Sequence, residues 1–514
     1  MTDGFIRTGA ELGADVDESC DVCIVGSGAG GAVLAAELAG RGLSVVVLEE
    51  GGHFTKADFN GDEATLYPKL YMGRGAWATK DLAVSILQGR TVGGSTTINW
   101  TTSYRTPDRI LEHWQQHHGI ELDTATLTPH WDAVEKRLNI MDWPNELANR
   151  NNRVILDGCN KLGWQVHHIR RNVKGCLNSG YCGVGCPVDA KQAMGITFLA
   201  DAVAAGARVY SNVRVERLQE AGGRVVSVHG IVLDQDSDAP LGRAVTIRPK
   251  IAVSSAGAIG GPALLMRSGL DRNGRTGKRT FIHPVIGVAS LFDEPVNGFH
   301  GAPQSIVSHQ FIDRGPDKMG FFVEAPPVQP MLVSTANLVL GELQQQMLRS
   351  LPHTALTIAL SVDGVVDGDE GGTVEFKPNG LTTLDYPITP VLEESLRAST
   401  KAMTELALAA GASVATVQHA QGTVEVRPGG DLGVLDRLPF GALDVPLFTA
   451  HVMGGCAMGP DPERAVVRND LRHHHIENLF VVDGSVFPTS LGVNPSESIY
   501  GLARWAAAAV AEAV

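Results

Sequence analysis

Asp21-Val22-Cys23-Ile24-Val25-Gly26-Ser27-Gly28-Ala29-Gly30-Gly31 is the stretch that decides the fold. A short apolar run, a glycine turn and an alanine-rich pattern over 32–40 predict a strand, a tight turn and a helix. A second apolar run, 44–48, ends on Glu49-Glu50-Gly51-Gly52 and predicts the next buried strand, which completes a βαβ unit. Gly26, Gly28 and Gly31 fit G-x-G-x-x-G. The first allows the tight turn, the second lets a pyrophosphate approach the backbone, and the third lets helix and strand pack closely. The helix N-terminus then offers free N–H groups and a positive dipole end to phosphates. Glu49 stands at the end of the second strand, where a carboxylate can accept hydrogen bonds from a ribose. The unit predicts a dinucleotide site and by itself does not separate FAD from NAD.

Farther along, residues 252–255 and 479–482 are short apolar strands closed by Ala256-Gly257 and by Asp483-Gly484. Between 284 and 447 the texture changes. Alternating runs at 355–362 and 373–376 predict an antiparallel sheet, flanked by helical patterns over 336–351 and 391–410. The expected division is a nucleotide-binding domain over 16–283, with a cysteine-rich loop at 174–187, and a substrate domain that occupies most of 284–447. Residues 448–514 then return to the first domain. A length of 514 residues suits about two domains.

The net charge of −14 repels phosphate backbones, so no nucleic acid is expected as partner. No uncharged apolar run reaches the length of a membrane span. The acidic start lacks a secretory pattern, and three of the seven cysteines crowd into 176–186. Both point to a reducing compartment, the cytoplasm.

A second glycine loop, Gly89-Arg90-Thr91-Val92-Gly93-Gly94-Ser95-Thr96-Thr97-Ile98-Asn99, joins the first. Further on come Ser254-Ser255-Ala256-Gly257-Ala258-Ile259-Gly260, His451-Val452-Met453-Gly454-Gly455-Cys456-Ala457-Met458-Gly459 and Val481-Val482-Asp483-Gly484-Ser485. Asn494-Pro495 closes the series. Taken in this order, the segments resemble the glucose–methanol–choline (GMC) oxidoreductases nearly end to end, closest to the long-chain alcohol oxidase and choline dehydrogenase-like branch. The resemblance implies an α/β fold: a GMC-type, Rossmann-like FAD-binding domain with an inserted substrate domain on an antiparallel sheet. It also implies that the dinucleotide is FAD. Gly93, Gly94, Ser95 and Asn99 would lie along the pyrophosphate and isoalloxazine, and Val215 would meet adenine through its backbone. Asp483 with Gly484 would bind near the pyrophosphate and ribityl chain, and the backbone after Pro495 would reach the flavin's pyrimidine end. Some relatives tether flavin through a histidine where this chain has Ile98, so FAD is expected to be non-covalent.

Oxidising an alcohol requires the loss of a hydride and a hydroxyl proton. The resemblance places His451 at the flavin face as base, with Asn494 donating a hydrogen bond to the substrate oxygen. A hydrophobic, long-chain primary alcohol is the first substrate expectation. Sugars or polyols and sterol-like alcohols are the alternatives, and an FAD-containing lyase on the same scaffold is the reading from another class. The electron acceptor stays open among oxygen, a quinone and an electron-transfer protein. Cys176, Cys182 and Cys186 have spacing C-x5-C-x3-C. They resemble the segment that holds a [3Fe–4S] cluster in bacterial FAD-dependent glucose dehydrogenases. A loop with free thiols or a disulfide suits the same spacing, and zinc would want a fourth ligand. Cys20 and Cys23 flank the first strand, where packing explains them.

Overall fold

The glycine turn and its flanking strands form as the spacing predicts. The computed structural model describes residues 4–335 and 340–514. Strand Val16–Val25, helix Ala29–Gly40 and strand Val45–Leu48 follow one another, and the two strands pair in parallel from Val22 opposite Val45 to Val25 opposite Leu48. All four residues of Val45–Leu48 are buried, as expected for a parallel strand covered on both faces. The sheet runs Phe5–Arg7, Arg208–Tyr210, Val45–Leu48, Val16–Val25, Pro240–Ser254, Arg224–Leu233, Val213–Ala221. Leu479–Val481 also pairs in parallel with the end of Pro240–Ser254. Cys20 and Cys23 are buried in this layer, in line with packing.

The second layer is a nine-stranded sheet built around Val285–Leu291, Thr354–Ser361 and Phe321–Glu324, which pair antiparallel. It draws on more of the chain than 284–447. Val84–Ile86 and His167–His168 join it from the N-terminal half, the former in parallel with Leu447–Thr449. The run expected at 373–376 forms strand Gly372–Phe376, but in a separate four-stranded sheet with Thr382–Asp385, Lys278–Phe281 and Met453–Gly454.

Helix Pro390–Ala410 covers the large sheet. Thr389 caps its start by accepting from the N–H of Leu392, proline fills its first position, and Gly411 ends it in the left-handed region. Of the helix expected over 336–351, Glu342–Ser350 is observed. Residues 336–339 lie outside the described ones.

The C-terminal helix Ser496–Glu512 packs on Ala29–Gly40, which brings Asn494 and Pro495 to the glycine turn. Met453–Gly454 pairs antiparallel with Thr280 and Phe281, and this sets His451 beside His283. Among the described residues no helix is long and apolar enough to cross a membrane.

Candidate active site

The two glycine loops lie against each other. A Cβ on Gly94 would stand 2.7 Å from the Cα of Gly28, and Gly93 and Gly94 both take positive φ, 89° and 55°. Ser27 joins the loops: its hydroxyl donates to Glu49 Oε2 at 2.6 Å and accepts from the N–H of Gly93 at 3.0 Å. Glu49 also accepts from the N–H groups of Ser27 and Gly51 at 2.9 and 2.8 Å. Burial raises its carboxyl against these bonds. Glu49 therefore organises the loop itself as well as facing the cavity.

That cavity has a volume of about 620 Å³. Gly26, Gly28, Glu49, Gly94, Ser95, Asn99, Val215, Asp483, Gly484, Pro495, His451 and Asn494 all reach it, whereas Gly31 and Gly93 do not. Gly31 acts in packing, since a Cβ there would lie 2.0 Å from the carbonyl oxygen of Gly26. The Val215 carbonyl already accepts from the Arg267 guanidinium, and the Asp483 carboxylate accepts from the N–H groups of Gly257 and Ser485 at 2.8 Å each. Asp483 thereby fixes the turn before helix Gly257–Arg267.

These residues fit a dinucleotide. A Cβ on Gly28 would meet nothing nearer than the Gly94 Cα at 3.7 Å, so the space above this helix start is open. Gln88 Oε1 and Asn99 Oδ1, from two cavity residues, are buried without a partner among the described residues.

At the far end of the cavity His451 and Asn494 come together, with Asn494 Nδ2 3.3 Å from His451 Nε2. His283 stands behind them. Its Nδ1 is 3.2 Å from His451 Nδ1, and its Nε2 accepts from the N–H of Gly492 at 3.1 Å. Its backbone, at φ 46°, is held by Asp363, which accepts from the N–H groups of Ile282 and His283.

A backbone N–H only donates, so His283 Nε2 must be bare and its proton sits on Nδ1. That proton is donated to His451 Nδ1, which leaves the proton of a neutral His451 on Nε2. Burial pushes both imidazoles down, His451 to about 4, so both are neutral near pH 7. A base acting through Nε2 needs that nitrogen bare. In the resting site this hydrogen-bond chain instead makes His451 a donor there.

Three polar residues that no motif marked complete this end. Glu324 is fully buried on strand Phe321–Glu324, and its Oε2 lies 3.3 Å from Asn494 Nδ2 and 2.5 Å from Gln304 Nε2. Thr102 donates to Gln304 Oε1 at 2.8 Å.

Comparison with known proteins places this geometry in a family. GMC oxidoreductase family models match residues 67–285 and 444–503, and a Rossmann-like NAD(P)-binding model matches 24–74. A GMC-type oxidoreductase of Mycobacterium tuberculosis is 34% identical over 94% of this chain and 74% of its own. The chain is a GMC oxidoreductase. Two long-chain-alcohol oxidases of Arabidopsis thaliana are 30% and 31% identical over 94% of this chain and 67% and 66% of their own. Among solved structures, pyridoxine 4-oxidase from Mesorbium loti superposes with a TM-score of 0.69 at 21% identity, covering 96% of this chain and 98% of its own. A formate oxidase reaches 0.70 at 16%, covering 97% and 99%. Both share the fold. GMC oxidoreductases are FAD-binding flavoenzymes, and this one acts on CH–OH donors.

The cysteine loop of this GMC oxidoreductase does not present a cluster site. Cys176, Cys182 and Cys186 are half-buried, form no disulfide and share a cavity of only about 20 Å³. That is room for about one water, not for three irons with their sulfides. Among the described residues no three His, Cys, Asp or Glu side chains are grouped to hold a metal ion. The [3Fe–4S] expectation therefore lacks support. The loop is anchored instead by Lys191, whose buried Nζ donates to the carbonyls of Cys182, Thr97 and Asn99 at 2.7, 2.5 and 3.1 Å.

Proposed function

We propose that this GMC oxidoreductase oxidises an apolar primary alcohol to its aldehyde, with FAD held non-covalently and with His451 and Asn494 acting on the hydroxyl. The observation that carries this reading is one continuous cavity that runs from the glycine turn at Gly26 and Gly28 to the His451–Asn494 pair. When bound, FAD would supply the acceptor for the hydride of the alcohol carbon, and the hydroxyl proton leaves the site for solvent, which balances the oxidation to the aldehyde. The chain supplies the rest: Gly28 and the helix start behind it receive the pyrophosphate, and His451 and Asn494 orient and polarise the C–O bond. Ile98 lines the cavity with a hydrocarbon side chain that offers no atom for a covalent tether.

The substrate class is supported by the walls nearest the pair. Val285, Ile358, Leu360 and Phe448 from the large sheet, together with Trp100, are apolar. The long-chain-alcohol oxidases among the relatives agree with an apolar alcohol.

The test is anaerobic addition of long-chain primary alcohols, polyols and sterols to the flavinated protein. The long-chain alcohol should bleach the flavin, and His451→Ala should keep the flavin while losing about a hundredfold or more in bleaching rate. Flavin that no alcohol bleaches would remove this reading in favour of a lyase. Reoxidation by oxygen, a quinone or an electron-transfer protein then identifies the acceptor.

A further inference from the structure

The hydrogen bonds around Asn494 make conflicting demands, and only one arrangement of protons satisfies them all. From the His283 side, His451 carries its proton on Nε2. With Asn494 Nδ2 3.3 Å away, two donors would face each other across that contact. Turning the Asn494 amide by half a rotation puts Oδ1 there, as acceptor of the His451 proton. The two ends of an amide have nearly the same shape, so the hydrogen-bond chain decides between them. The turn loses nothing on the other side, where Oδ1 is buried without a partner. It does change the contact with Glu324: Asn494 Oδ1 now faces Glu324 Oε2 at the same 3.3 Å, and two acceptors cannot share it. Glu324 must bring the proton.

We propose that Glu324 is a positioning residue that rests as a protonated carboxylic acid, its O–H donated to Asn494, so that Asn494 is locked in one orientation and His451 in the Nε2–H form. The chain then has one donor and one acceptor at every step: Gly492 to His283, His283 to His451, His451 to Asn494, Glu324 to Asn494, Gln304 to Glu324, and Thr102 to Gln304.

The surroundings of Glu324 favour the neutral acid. Its strand partners Val307 and Ile358 are uncharged, and among the described residues it has no ion pair. Tyr104, the other titratable side chain whose field reaches it, is a buried phenol held above its ordinary range by burial and then by Glu324. His451 and His283 are neutral, and the charge of Arg109 acts on His283. Burial lifts Glu324 to about 8, in keeping with a proton retained near pH 7.

The inference rests on the proposed alcohol chemistry only where turnover is read, so the first measurement needs none. In the flavinated protein near pH 7, the difference between the infrared spectra of wild type and Glu324→Gln should contain the carbonyl band of a buried carboxylic acid, and that band should disappear as pH rises through about 8. The absence of such a band from the difference near pH 7 overturns the proposal even if that variant is hard to produce in quantity for turnover. Where alcohol bleaches the flavin, the rate should fall through the same pH range. Glu324→Leu, which donates nothing, should lose about tenfold. Glu324→Gln, whose amide N–H can take the place of the acid proton, should rescue most of that loss and abolish the alkaline fall. A flavinated Glu324→Gln as slow as Glu324→Leu would make Glu324 a base and overturn the positioning role. If alcohol bleaches nothing while the infrared band titrates as described, the proton on Glu324 stands and only the alcohol reading falls.

Discussion

Replacing Gly28 by valine separates cofactor binding from folding, because this glycine is spared the contacts that constrain its neighbours. At Gly30 a Cβ would lie 1.9 Å from the Val482 carbonyl oxygen, and at Gly26 it would lie 2.2 Å from that of Ser255. Either substitution should break the packing of helix on sheet, as should Gly31→Ala. At Gly28 the nearest protein atom is an ordinary 3.7 Å away, and φ is −74°, which any residue adopts. The cost to folding is then mainly the poorer helix cap, about 1 kcal/mol.

The cost to FAD is much larger, since the valine branches project into the path assigned to the pyrophosphate. Losing even one or two charge-assisted N–H bonds together with the dipole contact amounts to about 3–5 kcal/mol, at least a hundredfold in affinity. Desalted Gly28→Val should therefore be soluble and colourless, and should melt within a few degrees of wild-type apoprotein. Gly31→Ala should yield little folded protein. A Gly28→Val preparation with one flavin per chain and wild-type affinity would refute the placement of the pyrophosphate. One that unfolds like Gly31→Ala would refute the claim that this glycine is spared.

Two further predictions concern the supports of the site. Lys191→Met keeps the volume of the side chain but strands the carbonyls of Thr97 and Asn99 beneath the second glycine loop. It should cost about 3 kcal/mol by denaturant unfolding and weaken flavin retention, and unchanged values in both would remove Lys191 from that role. Glu135 accepts from Arg170 at 2.9 and 2.7 Å and from Arg105 at 2.5 Å, and against the opposing effect of burial these guanidinium groups hold its carboxyl well below the ordinary value of about 4.5. A lowered carboxyl stabilises the fold fully above about 4.5, and the contribution is lost as pH falls toward the folded value. Glu135→Gln should thus melt lower at pH 7 and lose less on acidification than wild type, and parallel pH–melting curves would contradict the assignment.

What could be read from the sequence was what the chain encodes locally. The turn Gly26–Gly31 and strand Val45–Leu48 follow from spacing and hydrophobic period within thirty residues, and both form as expected. Strand Val84–Ile86 has three residues and His167–His168 two, too few for a period to register, and each finds its partner far along the chain. Glu324 escaped for a related reason. A lone polar residue ending an apolar strand reads as an edge toward solvent, and only the packed sheet turns it inward. The influence of His283 on His451 depends on the backbone N–H of Gly492, which no side-chain pattern encodes. The three cysteines show the converse: their spacing is conspicuous, but the space they enclose is small.

The seat of Leu479–Val481 beside Pro240–Ser254 has a consequence for biosynthesis. When the ribosome has made the first 300 residues, the sheet that will carry the cofactor has a vacant slot along its middle. The segment that fills it emerges far later than the strand it pairs with, in the same part of the chain as His451 and Asn494. Until then a strip of unpaired backbone and apolar side chains is exposed to the cell. A site that needs His451 and Asn494 therefore closes only after Leu479–Val481 has been made, and a chain halted before that segment exposes the slot in place of the finished site.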